Sequence, residues 1–169
     1  TVYNLSTRYE PLVSRSKDLT LVSAPTLYFY QLYFNFSRAP LNNLKVRQAI
    51  NFAIDREAFV KATMGGIGEP AQMLLPKSHW AYDKEVARLY PYDPNRARQL
   101  LAEAGLGKGL EISFGGYSDQ DSVRRAEVIM EMLRKVGIRA NYTNQTVAES
   151  TGQFFGNEKK FDALASAWS

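Results

Sequence analysis

His79 is the only histidine in the chain, and there is no cysteine at all. A multi-histidine zinc site is therefore unavailable, and any nucleophile–histidine–acid arrangement would have to turn on this one residue. His79 stands beside Trp80 in a proline-rich stretch, where it reads as a surface or packing residue. The missing cysteines exclude disulfides, thiolate metal ligands and cysteine nucleophiles. Asp119 and Asp121 lie together before a helical pattern. Carboxylates there suit a helix N-terminus better than a metal. Gly65-Gly66-Ile67-Gly68 resembles part of a phosphate loop. It follows a helix rather than a strand, and it lacks both the Lys-Ser/Thr pair and the dinucleotide spacing. Gly105 to Gly109 also follows a helix. No catalytic residues, metal ligands or cofactor are expected, which leaves a binding or scaffold role.

The elements that would carry such a role can be read from periodicity. Leu19 to Ser23 is apolar and β-branched and reads as a short strand ended by Ala24-Pro25. Residues 1–17 read as irregular, with Pro11 as a breaker. Leu27 to Phe36 carries Tyr28, Phe29, Tyr30, Tyr33, Phe34 and Phe36 and reads as a long strand, buried on both faces for part of its length. The alternative for this aromatic run is a ligand platform. Val46, Ala49, Ile50, Ala53 and Ile54 form one face of a helix over 44–63. Asn43 caps that helix and Gly65-Gly66 stops it. Residues 67–92 form a proline-rich surface excursion. Asp93-Pro94 starts the next helix, with a carboxylate cap and proline at the first helical position, and Gly105 ends it. Leu110 to Phe114 reads as a strand, with Gly115-Gly116 and Tyr117 to Asp121 as a turn. A helix over 122–136, a strand over 138–143, a helix over 147–155 and a last strand over 161–167 follow. The succession predicts an α/β layer fold with a mixed sheet.

Composition bounds the partners. The chain is 45% hydrophobic and 22% charged, with a net charge of +4, which fits a globular domain with a solvated surface. No compact basic stretch with interleaved aromatics exists, so nucleic acid is not an expected partner. No apolar run reaches the roughly 18 residues of a membrane span. The N-terminus shows no basic-then-apolar leader, so either a signal has been removed or the chain starts inside a longer protein.

One ordered set of motifs narrows the reading. It runs Phe34-Asn35-Phe36, Ala39-Pro40-Leu41, Lys45-Val46-Arg47-Gln48-Ala49-Ile50 and Ala53-Ile54-Asp55-Arg56-Glu57. It continues with Gly66-Ile67-Gly68-Glu69-Pro70-Ala71, Tyr92-Asp93-Pro94, Leu100 to Gly105, Gly137-Ile138, and Phe161-Asp162-Ala163 with Trp168. The set resembles the family 5 extracellular solute-binding proteins, which bind oligopeptides, dipeptides, nickel complexes, haem or sugars for ABC importers. The resemblance implies one lobe of a type II periplasmic-binding-protein-like fold. Residues 1–169 would be the lobe after the first hinge crossover, excised or truncated from a two-lobed protein. It implies a peptide-like or other small solute as ligand, with the importer's membrane subunits and the other lobe as partners. The place implied is the periplasm, or the cell surface as a lipoprotein where there is no outer membrane.

It also implies that the strand ending at Trp168 lines the cleft. Ser166, Ala167 and Ser169 would contribute there mainly through backbone, and Trp168 would either face the ligand or pack at the hinge. The loop holding Tyr117 and Ser118 would face the same cleft. An acidic residue for a peptide's amino terminus would fall beyond Ser169. Val147 stands where some oligopeptide binders carry tryptophan, and Ala165 where some carry arginine; both departures weigh against oligopeptide specificity. Arg47, Asp55 and Arg56 are expected to hold the lobe together through ion pairs or caps. An interaction or oligomerisation module using the exposed cleft face is the alternative reading, and an enzyme the third.

Overall fold

The computed structural model describes residues 6–22 and 28–168. Its centre is a four-stranded sheet of β1 (Phe29–Phe34), β2 (Leu110–Tyr117), β3 (Ile138–Gln145) and β4 (Ala163–Trp168) in the order β1-β4-β2-β3. β2 runs parallel to both β3 and β4, and β1 is antiparallel to β4. Among the described residues, six α-helices accompany it: α1 (Glu10–Ser14), α2 (Leu44–Ala53), α3 (Arg56–Met64), α4 (Pro94–Glu103), α5 (Gln120–Arg134) and α6 (Val147–Phe155). The mixed α/β architecture is the one expected.

Alternation along the strands builds two cores. Ile112, Phe114, Ile138 and Ala163 point to one face, where Val46, Ala49 and Ile50 of α2, Leu100 and Leu101 of α4, and Ile129 and Leu133 of α5 cover them. Leu164 points to the other face and packs with Phe161, with Phe154 of α6 and with Tyr33. The sheet is thus a middle layer. Burying a leucine- or phenylalanine-sized side chain stabilises by roughly 1.5–3 kcal/mol, so the larger first core supplies most of the cohesion.

Capping residues set several helix boundaries. Asn43 accepts from the Lys45 amide, Asp119 from the Ser122 amide, and Thr146 forms a capping box with Glu149. Asp93 accepts from both the Asn95 and Arg96 amides, with Pro94 at the first helical position. Replacing Asp93 with alanine strands two amide donors. It is expected to cost about 1–2 kcal/mol, seen as a lower urea midpoint with unchanged slope.

Several expectations are corrected. The helix expected over 44–63 is two helices. Ile54 and Asp55 are extended between them, and the Asp55 carboxylate accepts from the Ala58 amide to start α3. An aspartate able to cap competes with helix continuation. Pro11 lies in the first turn of α1, where its missing amide costs nothing, so it opens a helix instead of breaking the chain. Residues 19–22 belong to no strand, and Ser23, Ala24 and Pro25 lie outside the described residues. The aromatic strand is six residues long, with Tyr30 exposed and the others partly rather than fully buried, and Leu27 lies outside the described residues. β2 continues through Gly115 and Gly116 to Tyr117, where a turn was expected. The glycines serve close approach. A Cβ on Gly115 would lie 2.6 Å from the Phe161 ring, and one on Gly116 would lie 2.5 Å from the Tyr142 hydroxyl.

Candidate functional site

The chain leaves β2 through α5 and returns on β3, then leaves β3 through α6 and returns on β4. α5 packs in the core of one face and α6 in that of the other. In sheets whose connections depart on opposite faces, ligands bind outside the carboxyl ends of the strands. The sequence of β2 brings Tyr117 there and that of β4 brings Ser166, although 49 positions separate them.

Tyr117 and Ser166 share a hydrogen bond of 2.7 Å between their hydroxyls. The Tyr142 hydroxyl donates to the Tyr117 carbonyl at 2.8 Å and fixes the end of β2 from the opposite face. Burial pushes the Tyr142 hydroxyl up to about 12, so it stays a proton donor throughout the physiological range. Ser118 is exposed, and its amide donates to the Gln145 carbonyl at 2.9 Å, tying the ends of β2 and β3. Ala167 pairs with Tyr30, and the backbone of Trp168 pairs with Phe29. Ser169 lies outside the described residues.

β4 pairs with β1 along its whole length, from Ala163 opposite Phe34 to Trp168 opposite Phe29. Its other side is different. Among the described residues, β2 pairs with β4 only at Phe114 with Ala163 and Gly115 with Leu164. Past Leu164 the two strands part, joined across the gap by Tyr117 and Ser166. Among the described residues, the β2-facing edge of β4 over 165–168 has no ladder partner and is an open strand edge.

The base of β4 is anchored firmly. Asp162 is buried, and its Oδ2 accepts from the Ser113 amide and hydroxyl, each at 2.7 Å. Its Oδ1 meets Arg38 Nε at 3.0 Å. Asn35 donates its side-chain amide to the Phe161 carbonyl at 3.2 Å, and the Asn35 amide donates to the Asp162 carbonyl at 2.8 Å. The first residues of β4 are thus held to β1 and β2, while its far end, among the described residues, is paired only with β1.

Three groups at this end of the sheet escaped the sequence reading. Arg125 of α5 lies over the Tyr30 ring at 4.0 Å. Gln31, the register partner of Ser166, donates to the Tyr33 hydroxyl. Gln145, level with Tyr117, has a buried Oε1 without a hydrogen-bond partner. Only the last had a sequence signal, a polar residue ending a strand; the others depend on register.

The motif residues are structural. Arg47 donates to the Leu41 carbonyl at 2.7 Å and lies over Phe36. Arg56 gathers the carbonyls of Asn51, Ile54 and Tyr90, which fastens the break between α2 and α3 to the excursion. Among the described residues these two arginines take carbonyls where ion pairs were expected, while Asp55 is the expected kind of cap. His79 accepts from the Ala81 amide through Nδ1, and Trp80 beside it is 91% exposed.

A sheet of largely parallel strands with helices leaving it on both faces is an α/β architecture whose ligands, where it binds them, lie at the carboxyl ends of the strands. The chain belongs to the bacterial extracellular solute-binding proteins, family 5, whose middle-region model matches residues 1–169. It is 42% identical over 113 residues to heme-binding protein A of Haemophilus influenzae, covering 64% of this chain and 20% of that one. It is 36% identical over 133 residues to the dipeptide-binding protein of Escherichia coli K12, covering 76% and 25%. The solved dipeptide-binding protein of Pseudoalteromonas, in complex with Met-Leu, superposes with a TM-score of 0.83 at 28% identity. That match covers 97% of this chain and 33% of that one. The chain therefore spans about a quarter of the length of the curated relatives it matches. These relatives are binding proteins, and the family is described as extracellular.

Proposed function

We propose that this chain is one lobe of a two-lobed solute-binding protein that captures peptide-like solutes outside the cytoplasmic membrane and delivers them to an ABC importer. Its role is binding, not catalysis. The ligand lies against the carboxyl end of β4, at Ser166, Ala167 and Trp168 and on to Ser169, with Tyr117 and Ser118 from the end of β2. The second lobe of the parent closes over it by hinge motion, and the importer's membrane subunits receive the closed form.

The observation that carries this reading is the open edge of β4 beyond Leu164. An extended peptide can add to such an edge through main-chain hydrogen bonds, which recognise the amide backbone whatever the side chains. A relative named for dipeptides and others named for glutathione bring ligands with that backbone. The hydroxyls of Tyr117 and Ser166, which can each donate and accept, add polar groups nearby.

Calorimetry on the longer protein that carries this chain tests the proposal. The probe is an equimolar mixture of di- and tripeptides built from Ala, Leu, Ser and Glu. Micromolar or tighter binding is expected, falling about tenfold, or 1.4 kcal/mol, when a ligand amide is N-methylated. Indifference to N-methylation, or capture of haem or sugars with no capture of peptides, would overturn it.

A further inference from the structure

Phe36 and Leu44 are large apolar side chains left in the open, 64% and 56% exposed. Neither belongs to the two cores of the sheet. They flank the turn that joins β1 to α2, where the Asn42 amide donates to the Arg38 carbonyl at 2.9 Å. The Arg47 guanidinium lies 4.6 Å from the centre of the Phe36 ring and braces it.

The loop before β4 meets this turn. Lys159 takes a left-handed backbone, with φ of 49°, which a residue with a side chain keeps only where its surroundings hold it. Asn35 donates its side-chain amide to the Lys159 carbonyl at 3.3 Å, and Arg38 donates to the carbonyls of Lys159 and Lys160. The loop's carbonyls are thus turned onto Asn35 and Arg38, while both lysines are exposed.

The charges here do not cancel. Asp162 balances Arg38, and Lys45 and Arg96 share the single carboxylate of Glu103. Among the described residues Arg47, Lys159 and Lys160 are in no ion pair, and Glu158 is the one acid of residues 156–160. The corner so holds three of the chain's four net positive charges. Lysines kept for solubility alone would need no open apolar side chains beside them. Apolar groups ringed by cations match an anionic phospholipid surface, where the apolar groups enter the headgroup layer and the cations meet phosphates.

We infer that this corner seats the protein on anionic membrane lipid, with Phe36 and Leu44 entering the interface and Lys159 and Lys160 over the headgroups. The inference rests on the extracytoplasmic part of the proposed function and adds how the protein is held at that membrane. The corner lies at the start of β4 and the open edge at its end, so a lobe seated this way leaves that edge uncovered by lipid.

The experiment sediments the longer protein, prepared without lipid modification, with vesicles of phosphatidylcholine alone or with about one third phosphatidylglycerol. Binding is expected on the anionic vesicles at low salt, and is expected to be lost on phosphatidylcholine and at high salt. Lys159→Gln combined with Lys160→Gln is expected to weaken it roughly twentyfold, at about fivefold per cation. Phe36→Ser is expected to weaken it about fivefold. Leu44→Ser is read the same way and serves if the Phe36 variant does not fold. Capture of the peptide mixture is expected to be unchanged in the lysine variant. Equal binding to neutral and anionic vesicles, or anionic binding that survives the lysine variant, overturns the inference. So does binding indifferent to both serine variants, which would mark a patch for any polyanion. Binding that requires the importer's subunits in the vesicle would mark a protein partner and overturns it too. Vesicle binding by a protein that captures no peptide removes the peptide reading and leaves this inference standing.

Discussion

Replacing Asp162 with alanine is expected to destabilise the protein by about 3–5 kcal/mol, the order for losing two hydrogen bonds to a buried charged acceptor. The carboxylate side chain is 7% exposed. Its Oδ2 takes two hydrogen bonds from Ser113, one from the amide and one from the hydroxyl. Bonds to a charged acceptor contribute roughly 1.5–3 kcal/mol each, and in the alanine variant both donors are stranded in a half-buried site. Arg38 contributes less. Its side chain is about half exposed, so its 3.0 Å contact with Asp162 is screened by solvent and salt. The expected order of cost is therefore Asp162→Ala, then Asp162→Asn, then Arg38→Gln, the last below about 1 kcal/mol. Asparagine keeps an acceptor for the Ser113 amide but gives up the charge. Urea unfolding followed by circular dichroism reads all three. A cost for Arg38→Gln equal to that for Asp162→Ala would show that the ion pair, not the Ser113 clamp, holds the start of β4.

The same residues show what the sequence could and could not say about the fold. Asp93-Pro94 and Thr146 to Glu149 start helices through contacts spanning three residues, and those starts are legible because everything that decides them is local. Gly65, with φ of 61°, ends α3 for an equally local reason. Asp55 was ambiguous because the apolar stripe continues through Ile54. Only packing decides whether a potential cap is used. Gly115 and Gly116 were misread for the opposite reason. A glycine pair after five strand residues has the composition of a turn, while the rings that need the space arrive from Tyr142 and Phe161, far along the chain.

The candidate site divides in the same way. Tyr117 and Ser166 were reachable through family resemblance, but their mutual hydrogen bond was not. Arg125 was invisible, since its contact with Tyr30 depends on the strand order and on two alanines in β4 being small. The family motifs are strongest at Arg47, Asp55 and Arg56, which fasten helices and loops. They identify the scaffold and say little about the ligand.

The contact of Gly115 with Phe161 gives the second large effect, and it can be tested as a pair. Phe161 is fully buried and covers the backbone of β2 where that strand begins to part from β4. Phe161→Ala is expected to cost about 3–5 kcal/mol, the range for emptying a phenylalanine site. Gly115→Ala should help a strand by propensity alone, because glycine in a strand interior costs roughly 0.5–1 kcal/mol. The added methyl would sit 2.6 Å from the ring, however, and three ring atoms lie within 2.9 Å of it. A fully buried ring cannot swing aside, so overpacking of about 1–3 kcal/mol prevails over propensity and the variant is destabilised. In the double variant the clash disappears with the ring, and the methyl fills part of the space. Its cost is expected to fall short of the sum of the two single costs by about 1–2 kcal/mol, a coupling typical of residues in contact. Strict additivity would mean that β2 relaxes away from Phe161 when Gly115 is changed. The parting of β2 from β4 would then be a soft feature of the sheet, whereas strong coupling means that the ring fixes where the open edge of β4 begins.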